Sequence, residues 1–410
     1  MTGGAAISVL RPASPFKKWL GTRLLGLAGP GLRVLRRLAP IAHFGSTYVV
    51  TRHDDVREVF GRDGSFGVPY DKKLQVITDG EPFLLGMADT PHYQASLKAL
   101  QSVVRADDLP RLAARTEQLA TAAVAAAGQS IEVVQFVRDV TFTMLAEYLG
   151  VPELPDRRLQ AWATRLFEFQ FVGSDKDTEL RKEVDQIVPA LRAHVDAEIA
   201  ARKRRPKGSD DVLERCLQRQ TDGAAGFADA DIRTALACLI VGGPPQPPMV
   251  VPHALEQLLR RPAALRLAQQ AARADDDPQL AKIVLEAMRF DPLAPGLPRT
   301  VLKNTVIARG TRRETEVREG ATVFAAFASA MMDSRRVPNP GRFSLTRLPH
   351  EYIHFGHGLH ECFGRHINHA TLHLMLKPLL RQPQVRRARG AAGRLLKNGP
   401  FAERLVVRLD

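Results

Sequence analysis

The sequence predicts a mainly α fold with a minor β-sheet region. Helix-period apolar patterns recur along most of the 410 residues. Strand-type alternation is confined to short stretches, chiefly 48–52, 297–325 and 405–409. No apolar run reaches the roughly 18 residues that a membrane-crossing helix needs. The hydrophobic share, 45%, is enough for a large core.

At the N-terminus, Lys17, Lys18, Arg23, Arg33, Arg36 and Arg37 interleave with Trp19, Leu20, Leu24, Leu25, Leu27, Leu32, Val34 and Leu35. This reads as a basic N-terminal segment, 1–40, ahead of one domain over 41–410. Such a segment packs as a helix on the domain or lies on a membrane surface. Basic residues interrupt every apolar stretch, which excludes a secretory signal.

Tyr48 to Arg52 reads as a strand, followed by a helix over 53–61 with Asp54 or Asp55 near its N-cap. Residues 64–88 are rich in Gly and Pro and read as loop. Helical patterns run from Pro91 to Val104 and over 108–128. Ile131 to Val134 suits a strand before a helix over 135–149, which Gly150 and Pro152 stop. Helices over 156–172 and 177–204 precede a charged loop, 203–208. Further helices are expected over 210–219, 228–243, 250–260, 262–274 and 278–290. The remainder is loop apart from the strands already named and a helix over 365–381.

The 228–243 helix runs into Val241-Gly-Gly-Pro-Pro-Gln-Pro-Pro-Met249. Each proline removes an i→i−4 bond, at about 3 kcal/mol for an interior position. A break near 243–247 is therefore expected, with a second helix starting at Pro247 or Pro248, where proline suits the first turn. Gly242 and Gly243 would let a flat cofactor or substrate approach the backbone.

The formal charge is +14, from 58 basic and 44 acidic residues, and favours acidic partners. No zinc-finger spacing or RNA-binding signature accompanies it, so nucleic acid is excluded as a partner. Cys216, Cys238 and Cys362 make no disulfide framework and suit a reducing, cytoplasmic setting.

Cys362 lies in the run Phe355-Gly-His-Gly-Leu-His-Glu-Cys-Phe-Gly364. A thiolate in a glycine-bounded loop, screened by Phe355 and facing a helix N-terminus, is a candidate iron ligand. Gly358 and Gly364 permit positive φ or close approach of a planar cofactor. His360 is placed to donate to an anionic group on the cofactor rim. Glu286 and Arg289, three apart on one helix face, can pair.

The Cys362 run resembles the heme-binding loop of cytochrome P450s, Phe-x-x-Gly-x-[Arg/His]-x-Cys-x-Gly, at all five defined positions. The resemblance spans roughly 45–410 and implies the P450 fold and heme b, with Cys362 as the iron ligand. Glu286 and Arg289 resemble the family's Glu-x-x-Arg pair, which a third basic residue joins; Arg342 matches that position. His92, Arg299 and His360 match positions that hold the heme propionates, while Ser96 stands where the family usually has Arg. The distal helix of the family usually carries an acid and a threonine that deliver protons during oxygen activation. Here Pro245 and Gln246 stand in those places, and an amide is a poor proton donor.

The resemblance thus implies an oxidoreductase of the monooxygenase type, tailoring a small lipophilic or aromatic molecule in secondary metabolism. Gly242, Gly243, Pro245 and Gln246 point to non-standard oxygen activation. The alternatives are a peroxide-driven or rearrangement-type enzyme and a non-catalytic heme-binding relic. Expected partners are the substrate, either free or on a carrier protein, and an acidic ferredoxin-type redox protein or peroxide. The resemblance also places Phe66, Phe83, Phe167 and Leu293 in segments that line the substrate pocket.

Overall fold

Proline and glycine placement sets the helix boundaries in the computed structural model, which describes residues 8–12, 29–205 and 208–409. Lys17, Lys18, Trp19, Leu20, Arg23, Leu24, Leu25 and Leu27 lie outside the described residues, as do Pro206 and Lys207 of the charged loop. The chain divides into two compact units. One draws on Met1–Ala13, Tyr70–Ala126 and Val134–Pro248, and the other on Ser14–Pro69, Ala127–Val133 and Met249–Asp410.

The first unit is helical. Pro91–Val103 begins with Pro91 at its first turn and Thr90 Oγ1 accepting from the Tyr93 N–H. Thr178–Arg204 and Val212–Thr221 are capped in the same way by Asp177 and Asp211. Leu109–Ala126, Arg158–Phe171 and Asp229–Gly242 complete its longer helices, with most of Val133–Leu149. Leu166, Leu180, Leu191, Leu213, Ile232 and Leu236 are fully buried. A polar network is buried with them. Arg215 grips Asp108 in bidentate fashion at 2.6 and 2.7 Å, and Tyr148 donates to the same carboxylate at 2.9 Å.

The second unit is built on a five-stranded sheet ordered Ile41–Phe44, Thr47–Val50, Thr322–Ala325, Leu297–Val301 and Phe66–Gly67. Only Thr47–Val50 and Thr322–Ala325 run parallel, with Tyr48 opposite Val323. Its buried face packs Val50, Val301 and Val323 against Val56 and Phe60 of the helix His53–Gly61. Ser130–Glu132, Val406–Leu409 and Val385–Arg387 form a second, antiparallel sheet. Pro262–Arg273, Asp277–Phe290 and Arg365–Leu380 are the main helices beside them.

Several expectations need correction. Residues 64–88 are not all loop: Asp71–Thr78 is a helix because Leu74 and Ile77, one turn apart, find burial between the flanking glycines and prolines. The strand near 131 is Ser130–Glu132, and Val133 already opens the next helix. Asp54 and Asp55 do lie near the N-cap of His53–Gly61, which is Arg52. Both aspartates sit in its first turn, where their negative charge interacts favourably with the positive end of the helix dipole. The C-terminal region holds a hairpin, Leu396–Asn398 with Phe401–Arg404, turning at Gly399 with φ +60°. Phe66 and Phe167 are buried side chains, and Phe66 belongs to the sheet core rather than to a pocket wall.

Candidate active site

The Cys362 loop is closed by main-chain bonds. Cys362 N–H donates to Phe355 O at 2.8 Å and Glu361 N–H to Gly358 O at 3.0 Å. Gly358 has φ +80°, and a Cβ there would lie 2.3 Å from Phe60 O, so only glycine fits between the loop and the end of helix His53–Gly61. Of the two uses expected of Gly364, positive φ is not the one found. Its φ is −80°, and its added Cβ would rest 3.9 Å from Cys362 Sγ in ordinary contact. It serves as the N-cap of Arg365–Leu380, and its N–H is the backbone donor to the sulfur. Gly356, at φ +77°, supplies a second left-handed position. Phe355 stacks at a tilt on His369, centroids 4.9 Å apart.

Burial pushes the Cys362 thiol up, and the Gly364 N–H pulls it back only in part. A thiolate here therefore requires a cation at the sulfur. Among the described residues no cluster of three His, Cys, Asp or Glu side chains could hold a metal ion. A lone sulfur donor fits an iron that brings its remaining ligands in a macrocycle, so the residues present fit heme.

Glu286 and Arg289 form a fully buried pair, with bonds of 2.7 and 2.9 Å. This is no surface ion pair, whose loss would be worth little. The third basic group is Arg347, not Arg342. Arg347 Nε donates to both Glu286 oxygens at 3.0 Å, and its Nη1 reaches Glu351 at 2.9 Å. Arg342 is exposed and contributes its carbonyl, which accepts from Arg289 and Arg347. The reason is local backbone shape. The left-handed Asn339, φ +45°, precedes the turn that carries the Arg342 side chain away and brings residue 347 back. Burial opposes charge on Glu286, but the Arg289 and Arg347 bonds outweigh it and hold the carboxyl below its usual range. Sequence reasoning missed Arg347, and also Tyr352, whose hydroxyl donates to Glu286 at 3.2 Å. The one available signal for Arg347 was that it is the next basic residue after Arg342.

Arg299 is buried, with its guanidinium 4.7 Å from the centre of the Phe60 ring. Burial and the Arg299 charge both lower the His360 pKa, which leaves a neutral imidazole with one N–H at neutral pH. Cys362, Phe355, Gly358, Gly364, His360 and Arg299 thus belong to one unit, together with Glu286, Arg289 and Arg347.

The remaining candidates belong to the other unit. His92 and Ser96 are on Pro91–Val103 and line a cavity of about 420 Å³ with Phe83, Ala99, Phe227 and Ile232. The helix Asp229–Gly242 stops where expected, and the next begins at Pro247. In the gap Gln246 Nε2 donates to Gly242 O, the carbonyl that the Gln246 N–H would have reached in an unbroken helix. The Gln246 N–H goes to Gly243 O instead, at 3.2 Å. Pro244 and Pro245 are buried. A Cβ added at Gly242 would meet nothing within 4 Å, so open space adjoins that backbone.

A family model described as Cytochrome P450 matches residues 159–391. The chain is 26% identical over 392 residues to mycinamicin IV hydroxylase/epoxidase of Micromonospora griseorubida, covering 91% of this chain and 92% of the relative. It is 26% identical over 318 residues to erythromycin C-12 hydroxylase of Saccharopolyspora erythraea, covering 77% and 76%. The ligand-free structure of cytochrome P450 TbtJ1 superposes at TM-score 0.79 with 23% identity, over 95% of this chain and 98% of that one.

Proposed function

The chain belongs to the cytochrome P450 family, and from that premise we propose that it tailors a small lipophilic molecule without an acid–alcohol pair to deliver protons. It is a P450-type oxidoreductase with heme b as cofactor. When bound, the heme supplies the oxygen chemistry, with thiolate electron donation favouring O–O cleavage.

The chain's own residues carry the rest. Cys362 would hold the iron, and the Gly364 N–H would stabilise the sulfur's negative charge. Glu286, Arg289 and Arg347 fix the segment that leads into this loop. His360 and Arg299 would take the propionates. Relatives named as a hydroxylase and a hydroxylase/epoxidase support C–H hydroxylation or alkene epoxidation of a secondary metabolite. The +14 charge supports an acidic redox protein, or an acidic carrier bearing the substrate.

The observation that carries this reading is the break between Gly242 and Pro247. It places no carboxylate or hydroxyl at 245 or 246, and it commits one amide N–H of Gln246 to holding Gly242 O. Protons must then come from ordered water, from a substrate hydroxyl, or with a peroxide co-substrate. Comparing turnover driven by NAD(P)H plus a ferredoxin system with turnover driven by hydrogen peroxide tests it. The expected result is peroxide turnover at least equal to the reductase route. A reductase route more than roughly a hundredfold faster, the scale of ordinary general-acid assistance, would overturn the reading.

A further inference from the structure

Residues 29–38 form a helix that buries an arginine and exposes a valine and a leucine. Arg36 turns inward, and its Nη1 donates to Ser329 O at 2.8 Å and Ser329 Oγ at 2.7 Å. On the outward side Val34 is 53% exposed and Leu38 81% exposed. They are four residues apart and so lie in one row along the helix. Arg33 and Arg37, also four apart and exposed, form the neighbouring row. Interior use of the cation and exterior use of the aliphatics is the reverse of what a helix facing only water would show.

The exposed charges of this helix are Arg33 and Arg37, and no Asp or Glu precedes Asp54 in the sequence. Burial lowers the Arg36 pKa, and Arg33, Arg335 and Arg37 lower it further, with Asp333 the opposing charge. A cationic row beside an apolar row complements an anionic, hydrocarbon-backed surface. It does not complement a second copy of itself, because the arginine rows would repel.

We propose that the outward face of helix 29–38 docks the protein peripherally on an anionic phospholipid surface, with Val34 and Leu38 entering the headgroup boundary and Arg33 and Arg37 meeting phosphates. Among the described residues no helix is long and apolar enough to cross a membrane. The proposal is independent of the chemistry at Cys362.

The test is co-sedimentation of the full-length holoprotein with vesicles of phosphatidylcholine alone or with roughly a third phosphatidylglycerol. Binding to the anionic vesicles only is expected, falling steeply as salt is raised above about 0.1 M. Arg33→Gln with Arg37→Gln should weaken it by about fivefold per arginine. Val34→Ser with Leu38→Ser should weaken it about tenfold. An unchanged carbon monoxide difference spectrum in both variants reports an intact fold. No binding to anionic vesicles at low salt overturns the proposal. So does serine-variant binding equal to wild type, or a wild-type dimer in sedimentation velocity that the serine variant loses.

Discussion

Arg347 Nε donates to both carboxylate oxygens of Glu286, so the buried glutamate is held by two guanidinium groups. Arg347 is itself nearly fully buried and bridges onward to Glu351. Removing it leaves two buried carboxylates short of a cation. Arg347→Ala should destabilise the protein by about 3 kcal/mol and lower the heme content of the purified protein. Arg342→Ala, which keeps the carbonyl that matters, should change stability by about 0.5 kcal/mol or less. Thermal unfolding and the heme-to-protein absorbance ratio measure both. Equal losses in the two variants would show that the assignment of the third basic residue is wrong.

The two glycines flanking Cys362 should behave differently. Gly358→Ala sets a Cβ 2.3 Å from Phe60 O, a backbone atom, at a φ of +80°. Neither partner can yield cheaply, so a loss above about 2 kcal/mol is expected. Gly364→Ala meets only Asn368 Nδ2 at 3.8 Å and Cys362 Sγ at 3.9 Å. It should fold with a stability change of about 0.5 kcal/mol or less. Denaturant midpoints of the two variants decide this, and comparable midpoints would contradict the geometry.

What could be read from the chain followed the range of the physics involved. The helix end at Gly242 and the restart at Pro247 were legible because proline removes a bond within one turn of itself. The Cys362 loop was legible for a similar reason, since its bonds join residues within seven positions. Arg347 was not, because choosing between two arginines five apart depends on the turn around Asn339. Asp71–Thr78 was hidden because a short helix needs only two buried apolar residues, and the surrounding glycines and prolines dominated the local signal. The hairpin between Leu396 and Arg404 shows no clear alternation, because Leu396–Asn398 is half-buried throughout and Phe401–Arg404 buries two successive residues, Phe401 and Ala402.

Gln246 offers a test of what the broken helix does. Gln246→Ala removes the donor to Gly242 O and should lower stability by about 1 kcal/mol. Heme content should be retained. Pro245→Glu combined with Gln246→Thr supplies the missing acid and hydroxyl. It should raise reductase-driven turnover by roughly tenfold or more while leaving peroxide-driven turnover nearly unchanged. If the double variant turns over at the wild-type rate on both routes, proton delivery at these two positions does not limit the reaction.

His253 should make the protein acid-sensitive well above the carboxylate range. It is buried at 2% exposure, with Nδ1 3.6 Å from Asp291 Oδ1. Burial lowers its pKa to about 4, and the Asp291 charge offsets this only in part. Burial brings His354 to about 4 as well, where it sits stacked on Tyr352. An unfolded histidine titrates near pKa ~6.5. Between about pH 6.5 and 4 the unfolded chain therefore binds protons that the folded protein refuses, and stability falls as pH falls. Asp108 behaves differently. Burial opposes its charge, but the Arg215, Tyr148 and Arg111 bonds hold its carboxyl far below the usual range. Its contribution is complete above the unfolded value of about 4 and is lost only below it. Urea midpoints measured from pH 7.5 to 4.5 should decline, with His253→Leu flattening the slope by about one proton. A wild-type midpoint that is level over that range, or a variant with the wild-type slope, would mean that His253 is not held neutral in the folded protein.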